Sequence, residues 1–261
     1  MMKEIVAVAQ YDVPESVDAS IKKLNEVARN ASSQKAVLLV APETAIGMLA
    51  DVKSASTDYL PELKKIAVNN EIAIATSFYV AEDGKYYNQG YIVSDEGEVI
   101  LSHRKIYLAP PEIEEDGLTG SDKLESADSK LGKMGMIICK DGFNKYSHFL
   151  YQNLFDQNIE ITCVPTWSIG RSKALGVNNS QYVKAMYVYG SFLSRSYFLV
   201  SGNLNKSTES FGKSLIISPI RGVLREGSSE KEELLIEEID LDEVRKAREF
   251  DSWWQPKERV I

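Results

Sequence analysis

The sequence predicts an α/β fold of four layers, two β-sheets packed face to face and each covered outside by helices. Three observations carry this expectation. Strand and helix patterns alternate in two similar halves of the chain. The run AVLLVA at 36–41, like the run Gly135-Met136-Ile137-Ile138 that leads into Cys139, is continuously apolar, as in strands buried on both faces. Between the halves, the turn sequences EDGK and DEGE separate strands that form a meander.

In order, residues 4–10 predict a first strand. A helix follows at 14–31, opened by Pro14, with Val17, Ile21, Leu24, Val27 and Ala28 at helical spacing. After the strand at 36–41 comes Pro42-Glu43-Thr44, then a helix capped by Ser56 or Thr57 and running to about 69. Residues 72–81, 86–94 and 98–106 are strands, and 107–130 reads as an elaborated loop. The Cys139 strand leads to a helix at 146–157, with Phe149, Leu150, Leu154 and Phe155 facing inward, and to a strand at 159–165. A helix at 176–194 and strands at 197–202, 214–218, 222–225 and 234–239 complete the pattern. The segment DLDEVRKAREF at 240–250 closes the fold as a helix with a capping aspartate.

No linker or shift of composition divides the 261 residues, so 1–261 is expected to be one domain, with a C-terminal tail at 251–261. A net charge of −8 argues against a nucleic-acid or anionic-membrane surface. Cys139 and Cys163 make no disulfide framework, and with His103 and His148 they make no zinc spacing, so neither a metal nor a cofactor is expected. The apolar run in MMKEIVAVAQYD is too short for a signal peptide or a membrane span, and a reducing, cytoplasmic setting is expected.

Three strand ends present Glu43, Lys105 and Cys139. A thiol is a strong nucleophile only as thiolate, so nucleophilic catalysis at Cys139 needs a base and a charge partner. Glu43 fits the base, its pKa raised in a dry pocket. Lys105 fits the cation that favours the thiolate and a tetrahedral oxyanion, and the backbone N–H of Lys140, next to the nucleophile, fits the second donor. Against this, a free cysteine is more often a small buried hydrophobe, which is how Cys163 is read. A Cys139/His148 couple lacks any surrounding motif. Ser20–Lys23 and Ser32–Lys35 have the SxxK spacing, but on a helix face and in a polar loop.

The motifs APETAIG, HRKIYL and GMIICKD, in this order, resemble those of the nitrilase superfamily of carbon–nitrogen hydrolases, and the likeness runs over nearly the whole chain. VAVAQ at the start, YNQGYIVSDEGEV before the lysine, VPTW after the cysteine helix, and Phe211-Gly212-Lys213-Ser214 followed by Pro219 and Gly222 agree with it. The resemblance implies the nitrilase-like α-β-β-α sandwich and a Glu-Lys-Cys site at Glu43, Lys105 and Cys139. It also implies a second glutamate that orients the lysine, which fits Glu112, with Glu114 and Glu115 nearby. Trp167 and Arg171, after the strand at 159–165, are candidates to line the substrate pocket.

Two segments depart from the family. Asn144-Lys145-Tyr146 stands where an aromatic-Pro-Glu is usual, and Ser194-Arg195 where Glu-Asn is usual. The string after the cysteine, Lys140-Asp141-Gly142-Phe143, lacks both the Trp-Glu of nitrilases and the arginine of carbamoyl-amino-acid hydrolases, and is nearest to the aliphatic-amidase type. The expected activity is therefore hydrolysis of a small linear amide to carboxylate and ammonia. An N-carbamoyl hydrolase or a nitrilase with the same site, or an inactive binding member of the fold, are the alternatives. The resemblance also implies a homodimer or higher even oligomer through the helices after the cysteine strand and near 180–194. Trp253 and Trp254 in the tail are expected to pack on the partner.

Overall fold

Each of two six-stranded sheets is built around three parallel strands, and helices cover the outer faces. The computed structural model describes residues 3–47, 58–167, 171–172, 177–178, 180–204 and 212–252. The first half runs β1 (Lys3–Gln10), α1 (Val17–Ser33), β2 (Leu38–Val40), α2 (Leu60–Asn69), β3 (Ala73–Glu82), β4 (Lys85–Val93) and β5 (Val99–Arg104), followed by a short helix α3 (Pro110–Glu114). The second half runs β6 (Ser126–Ser129), β7 (Gly132–Met136), α4 (Ser147–Asp156), β8 (Ile161–Pro165), β9 (Arg171–Ser172), β10 (Val177–Asn178), α5 (Ser180–Ser194), β11 (Tyr197–Ser201), β12 (Leu215–Ser218), β13 (Gly222–Glu226), β14 (Glu233–Asp240) and α6 (Leu241–Ser252).

The sheet orders are β14-β1-β2-β3-β4-β5 and β13-β12-β11-β8-β7-β6. In the first, β1, β2 and β3 are parallel, joined through α1 and α2; in the second, β7, β8 and β11 are parallel, and α4 and α5 lie in the connections. Parallel neighbours require such crossovers, and the helices then cover the sheet. Side chains alternate between two cores. Val6, Val8, Leu38 and Val40 meet Met136, Ile161 and Leu199 between the sheets, while Ala7, Ala9 and Leu39 face Leu24, Ala28 and Leu63 of α1 and α2. Ile137, Val164, Phe198 and Val200 pack likewise against Leu150, Tyr151, Val183 and Tyr187 of α4 and α5. This is the expected four-layer sandwich. At Gly90 a Cβ would lie 2.2 Å from Met136 Sδ of the other sheet, so any larger residue there would push the methionine side chain aside.

Several local expectations change. Helix α1 begins after Ser16, whose hydroxyl accepts the Ala19 N–H at 3.3 Å, so Ser16 rather than Pro14 opens it. The stretch 107–130 is not only loop. Pro110 and Pro111 occupy the first turn of α3, where a missing N–H costs nothing, and the polar SADS of β6 pairs with β7 at a sheet edge. Phe149 is 61% exposed rather than inward, because the buried face of α4 is Ser147, Leu150, Tyr151 and Leu154. The expected cap at 56–57 and the tail tryptophans 253–254 lie outside the described residues. Helix α6 starts as expected, with Asp240 Oδ1 accepting the Asp242 N–H at 3.0 Å. Among the described residues, no helix is long and apolar enough to cross a membrane.

Candidate active site

Strands β2, β5 and β7, from both sheets, end near one another, and residues just past those ends form the centre of the site. Glu43 lies three residues beyond β2, Lys105 one beyond β5, and Cys139 three beyond β7. Cys139 opens a tight 3₁₀ turn, Cys139–Gly142, instead of ending the strand itself. Its φ is +45°, and that of Thr44, beside Glu43, is +53°. This left-handed region is strained for residues other than glycine and is worst for a β-branched one. At Thr44 the strained backbone is held by its N–H, which donates to Ser77 Oγ at 3.2 Å.

Glu43, Lys105, Glu112 and Cys139 are all buried. The Lys105 ammonium donates to Glu43 Oε1 at 2.7 Å and to Glu112 Oε1 at 2.8 Å. Asn88, in the middle of β4, donates its amide to the same two oxygens, at 2.7 and 3.1 Å. Glu112 Oε2 accepts the Ala109 N–H at 2.6 Å, closing the first turn of α3, and Glu43 Oε2 accepts the Trp167 N–H at 2.8 Å. Glu112 is thus the second carboxylate on the lysine, whereas Glu114 and Glu115 are exposed.

Burial dominates the electrostatics. It pushes Glu43 above the usual carboxylate range; Lys105 opposes that shift and the like charge of Glu112 adds to it. Burial would depress Lys105, but Glu43 and Glu112 together outweigh it and hold the ammonium well above its ordinary value. The Cys139 thiol is pushed up by burial and by the Glu43 charge, with Lys105 opposing. The Lys105 charge, which favours the thiolate as expected, is matched by the two carboxylates of Glu43 and Glu112. Glu43 and Cys139 act on each other directly, the thiol favouring the charged form of Glu43 and that charge raising the thiol.

Asp141 ties the two halves of the site together. Its Oδ1 accepts the N–H groups of Ile106 and Tyr107, directly after Lys105, at 3.0 and 2.6 Å, and its Oδ2 accepts the Ile138 N–H, directly before Cys139, at 2.9 Å. Among the described residues, the Lys140 N–H beside the thiol has no acceptor.

Of the other expected residues, Trp167 is half-buried against the first sheet's helix-side core and contributes its backbone to Glu43. The side chain of Arg171 lies outside the described residues. His148 is exposed on α4, its ring against Phe149, and Cys163 is fully buried in the core between the sheets, where burial raises its thiol. Asn144, in the first departing segment, holds the turn after Cys139 by donating to the Lys140 carbonyl at 2.7 Å. In the second, Ser194 Oγ donates back to the Gly190 carbonyl, while Arg195 reaches Asp251 of α6 at 2.8 Å. Asn88, Asp141 and Tyr187 were not singled out by the sequence. The only signal for Asn88 was its place in YNQGYIVSDEGEV, and for Asp141 its place in GMIICKD. Among the described residues, no group of three or more His, Cys, Asp or Glu side chains is arranged to hold a metal ion.

A sandwich with glutamate, lysine and cysteine at converging strand ends is the architecture of a carbon–nitrogen hydrolase. The chain belongs to that family, the nitrilase superfamily: the carbon-nitrogen hydrolase profile matches residues 5–249. It is 25% identical over 174 residues to a deaminated glutathione amidase of Dictyostelium discoideum, covering 62% of this chain and 57% of that protein. It is 26% identical over 183 residues to the omega-amidase NIT3 of Saccharomyces cerevisiae, covering 63% of this chain and again 57% of the relative. The chain therefore spans a little over half the length of these curated relatives. The crystal structure of a carbon-nitrogen hydrolase from Helicobacter pylori G27 shares the fold, with a TM-score of 0.81 at 17% identity over 99% of this chain and 96% of that one.

Proposed function

We propose that the chain hydrolyses a small linear amide to a carboxylate and ammonia through a thioester on Cys139. The observation that carries this reading is the buried Glu43-Lys105-Glu112 cluster beside the buried Cys139, with the Lys140 N–H next to it left without an acceptor among the described residues. Glu43 takes the thiol proton as sulfur attacks the amide carbonyl. The Lys140 N–H and the Lys105 ammonium stabilise the oxyanion, the C–N bond breaks, and Glu43 returns the proton to the departing amine, which leaves as ammonia. Water then attacks the thioester with Glu43 again as base, releasing the carboxylate and restoring the thiol. Glu112 and Asn88 orient Lys105 and Glu43. Trp167 helps to line the substrate pocket.

The amidase choice is supported by the Cys139-Lys140-Asp141-Gly142 string and by the amidase names of the two relatives. Ammonia release from a panel of short amides, N-carbamoyl compounds and nitriles tests it. Turnover of amides is expected, and turnover of nitriles alone would overturn it. Comparing iodoacetamide labelling of Cys139 and Cys163 separates an enzyme from an inactive binding protein. Cys139 should react far faster, and equal slow labelling would favour the binding protein.

The same reading includes a twofold dimer formed through α4 and α5. Their outer face carries Tyr146, Phe149, Tyr182, Tyr189 and Phe192 in the open, Tyr182 being 78% exposed. Tyr182, Ala185, Tyr189 and Phe192 form a stripe at helical spacing on α5, an apolar face of the kind a second copy covers. Sedimentation of the full chain should give a dimer, and Tyr182→Glu with Phe149→Glu should give a monomer. A monomeric wild-type chain would refute the assembly.

A further inference from the structure

We propose that Tyr187 is a positioning residue for the oxyanion site: its hydroxyl fixes the Cys139–Lys140 peptide so that the Lys140 N–H faces the carbonyl under attack. The inference rests on Cys139 being the nucleophile. Tyr187, fully buried on α5, donates its hydroxyl to the Cys139 carbonyl at 3.0 Å. In a planar trans peptide the C=O and the following N–H point in opposite directions. Tyr187 belongs to the core between the second sheet and its helices, whereas Cys139 belongs to the core between the sheets, the side from which Glu43 and Lys105 come. Drawing the carbonyl toward α5 therefore turns the Lys140 N–H toward the base and the lysine.

The rest of the turn is consistent with the Lys140 donor being kept free. The Ile138 carbonyl accepts the Asp141 N–H at 3.0 Å, and the Lys140 carbonyl accepts Asn144 Nδ2 at 2.7 Å and the Phe143 N–H at 3.3 Å. Those bonds, with the Tyr187 hydroxyl on the Cys139 carbonyl, occupy three successive carbonyls, and the Lys140 N–H is left over among the described residues. The contact also has its own steric provision. A Cβ on Gly142 would lie 2.2 Å from Tyr187 Cε1, so the glycine is what allows the ring to lie against the turn. Thr166 Oγ1, at the end of β8, lies 3.4 Å from the same hydroxyl.

A buried tyrosine hydroxyl needs some partner, so the test must separate positioning from mere satisfaction. Two reagents do so, because acylation passes through an oxyanion and alkylation does not. With p-nitrophenyl acetate, the Cys139 sulfur attacks the ester carbonyl and its proton passes to Glu43; the C–O bond breaks, p-nitrophenolate leaves and an acetyl thioester forms. With iodoacetamide, the sulfur displaces iodide at a saturated carbon and no oxyanion develops. In Tyr187→Phe, acylation of Cys139 should slow by roughly tenfold or more, the scale of a weakened oxyanion donor, while alkylation changes by less than about twofold. Gly142→Ala, which displaces the ring rather than removing the hydroxyl, should show the same split and serves if Tyr187→Phe does not fold. Equal slowing with both reagents in the folded variants, or no slowing with either, would overturn the proposal. If wild type and Cys139→Ala react alike with p-nitrophenyl acetate, the fault lies with the nucleophile and not with Tyr187.

Discussion

Asn88 Nδ2 stands 2.7 Å from Glu43 Oε1, and the same nitrogen reaches Glu112, the second carboxylate on Lys105, so one amide holds both carboxylates in register. Asn88→Leu would leave two buried carboxylate oxygens short of a donor and let them shift around Lys105. We expect kcat/KM to fall about 10- to 100-fold, the scale of a misplacement near 1 Å, in a protein whose circular dichroism is unchanged. Asn88→Asp should be worse, since it sets a third carboxylate against the other two. Full activity in a folded Asn88→Leu would show that Lys105 alone aligns the base.

Replacing the nucleophile separates covalent from non-covalent catalysis. Cys139→Ala should release no ammonia above background, and Cys139→Ser almost none, because an alcohol is a far weaker nucleophile at neutral pH. Mass spectrometry of quenched wild-type enzyme should find the substrate's acyl group on the peptide containing Cys139. An acyl adduct elsewhere would move the reaction to another residue.

The base predicts a pH dependence with a definite sign. On the proposed mechanism Glu43 must be ionised to accept the thiol proton, so kcat/KM is expected to rise as pH passes through its pKa. Because burial raises that pKa, the acidic limb should lie above the ~4.3 of an ordinary glutamate. Glu112 contributes a like charge that raises it further, so Glu112→Gln should move the limb to lower pH even as the maximum rate falls. A limb that stays in place or moves up would contradict this account. Glu43→Gln keeps the shape, removes the base, and should cost roughly 10²–10⁴-fold; near-full activity in a folded Glu43→Gln would assign the base elsewhere.

Lys105→Met removes the cation from between two buried carboxylates. Breaking a buried ion pair from one side costs about 3–5 kcal/mol, so the variant should be inactive and less stable in urea at neutral pH. Lowering the pH should narrow its deficit against wild type, because the stranded carboxylates can then protonate. A deficit that does not depend on pH would mean that the lysine's packing matters more than its charge.

Much of this arrangement was legible in the chain because strand ends are marked by abrupt changes of residue type. AVLLVA stops at Pro42-Glu43, SHR stops at Lys105, and GMII stops at Cys139, so three chemical groups could be placed without knowing which strands are neighbours. Asn88 was not visible this way. It sits inside β4, and only the packing of that strand against Glu43 and α3 gives its amide a role. Tyr187 was hidden for a related reason: on α5 it reads as one aromatic among several, and what distinguishes it is a carbonyl forty-eight residues earlier in the chain. Phe149 failed in the opposite sense, since hydrophobicity alone drew it inward while the spacing of Leu150, Tyr151 and Leu154 had already defined the buried face.

The sheets' division of labour has a consequence of its own. Glu43, Asn88, Lys105 and Glu112 all come from the first half of the chain, and Cys139 with the peptide that follows it comes from the second. On the proposed mechanism neither half reacts by itself, so turnover would report how accurately the two sheets have settled against each other. A conservative change at Met136, whose side chain packs against Gly90 across the sheets, is therefore expected to lower the rate without touching any group proposed to handle a proton, and catalytic rate would register the slip before any melting curve did.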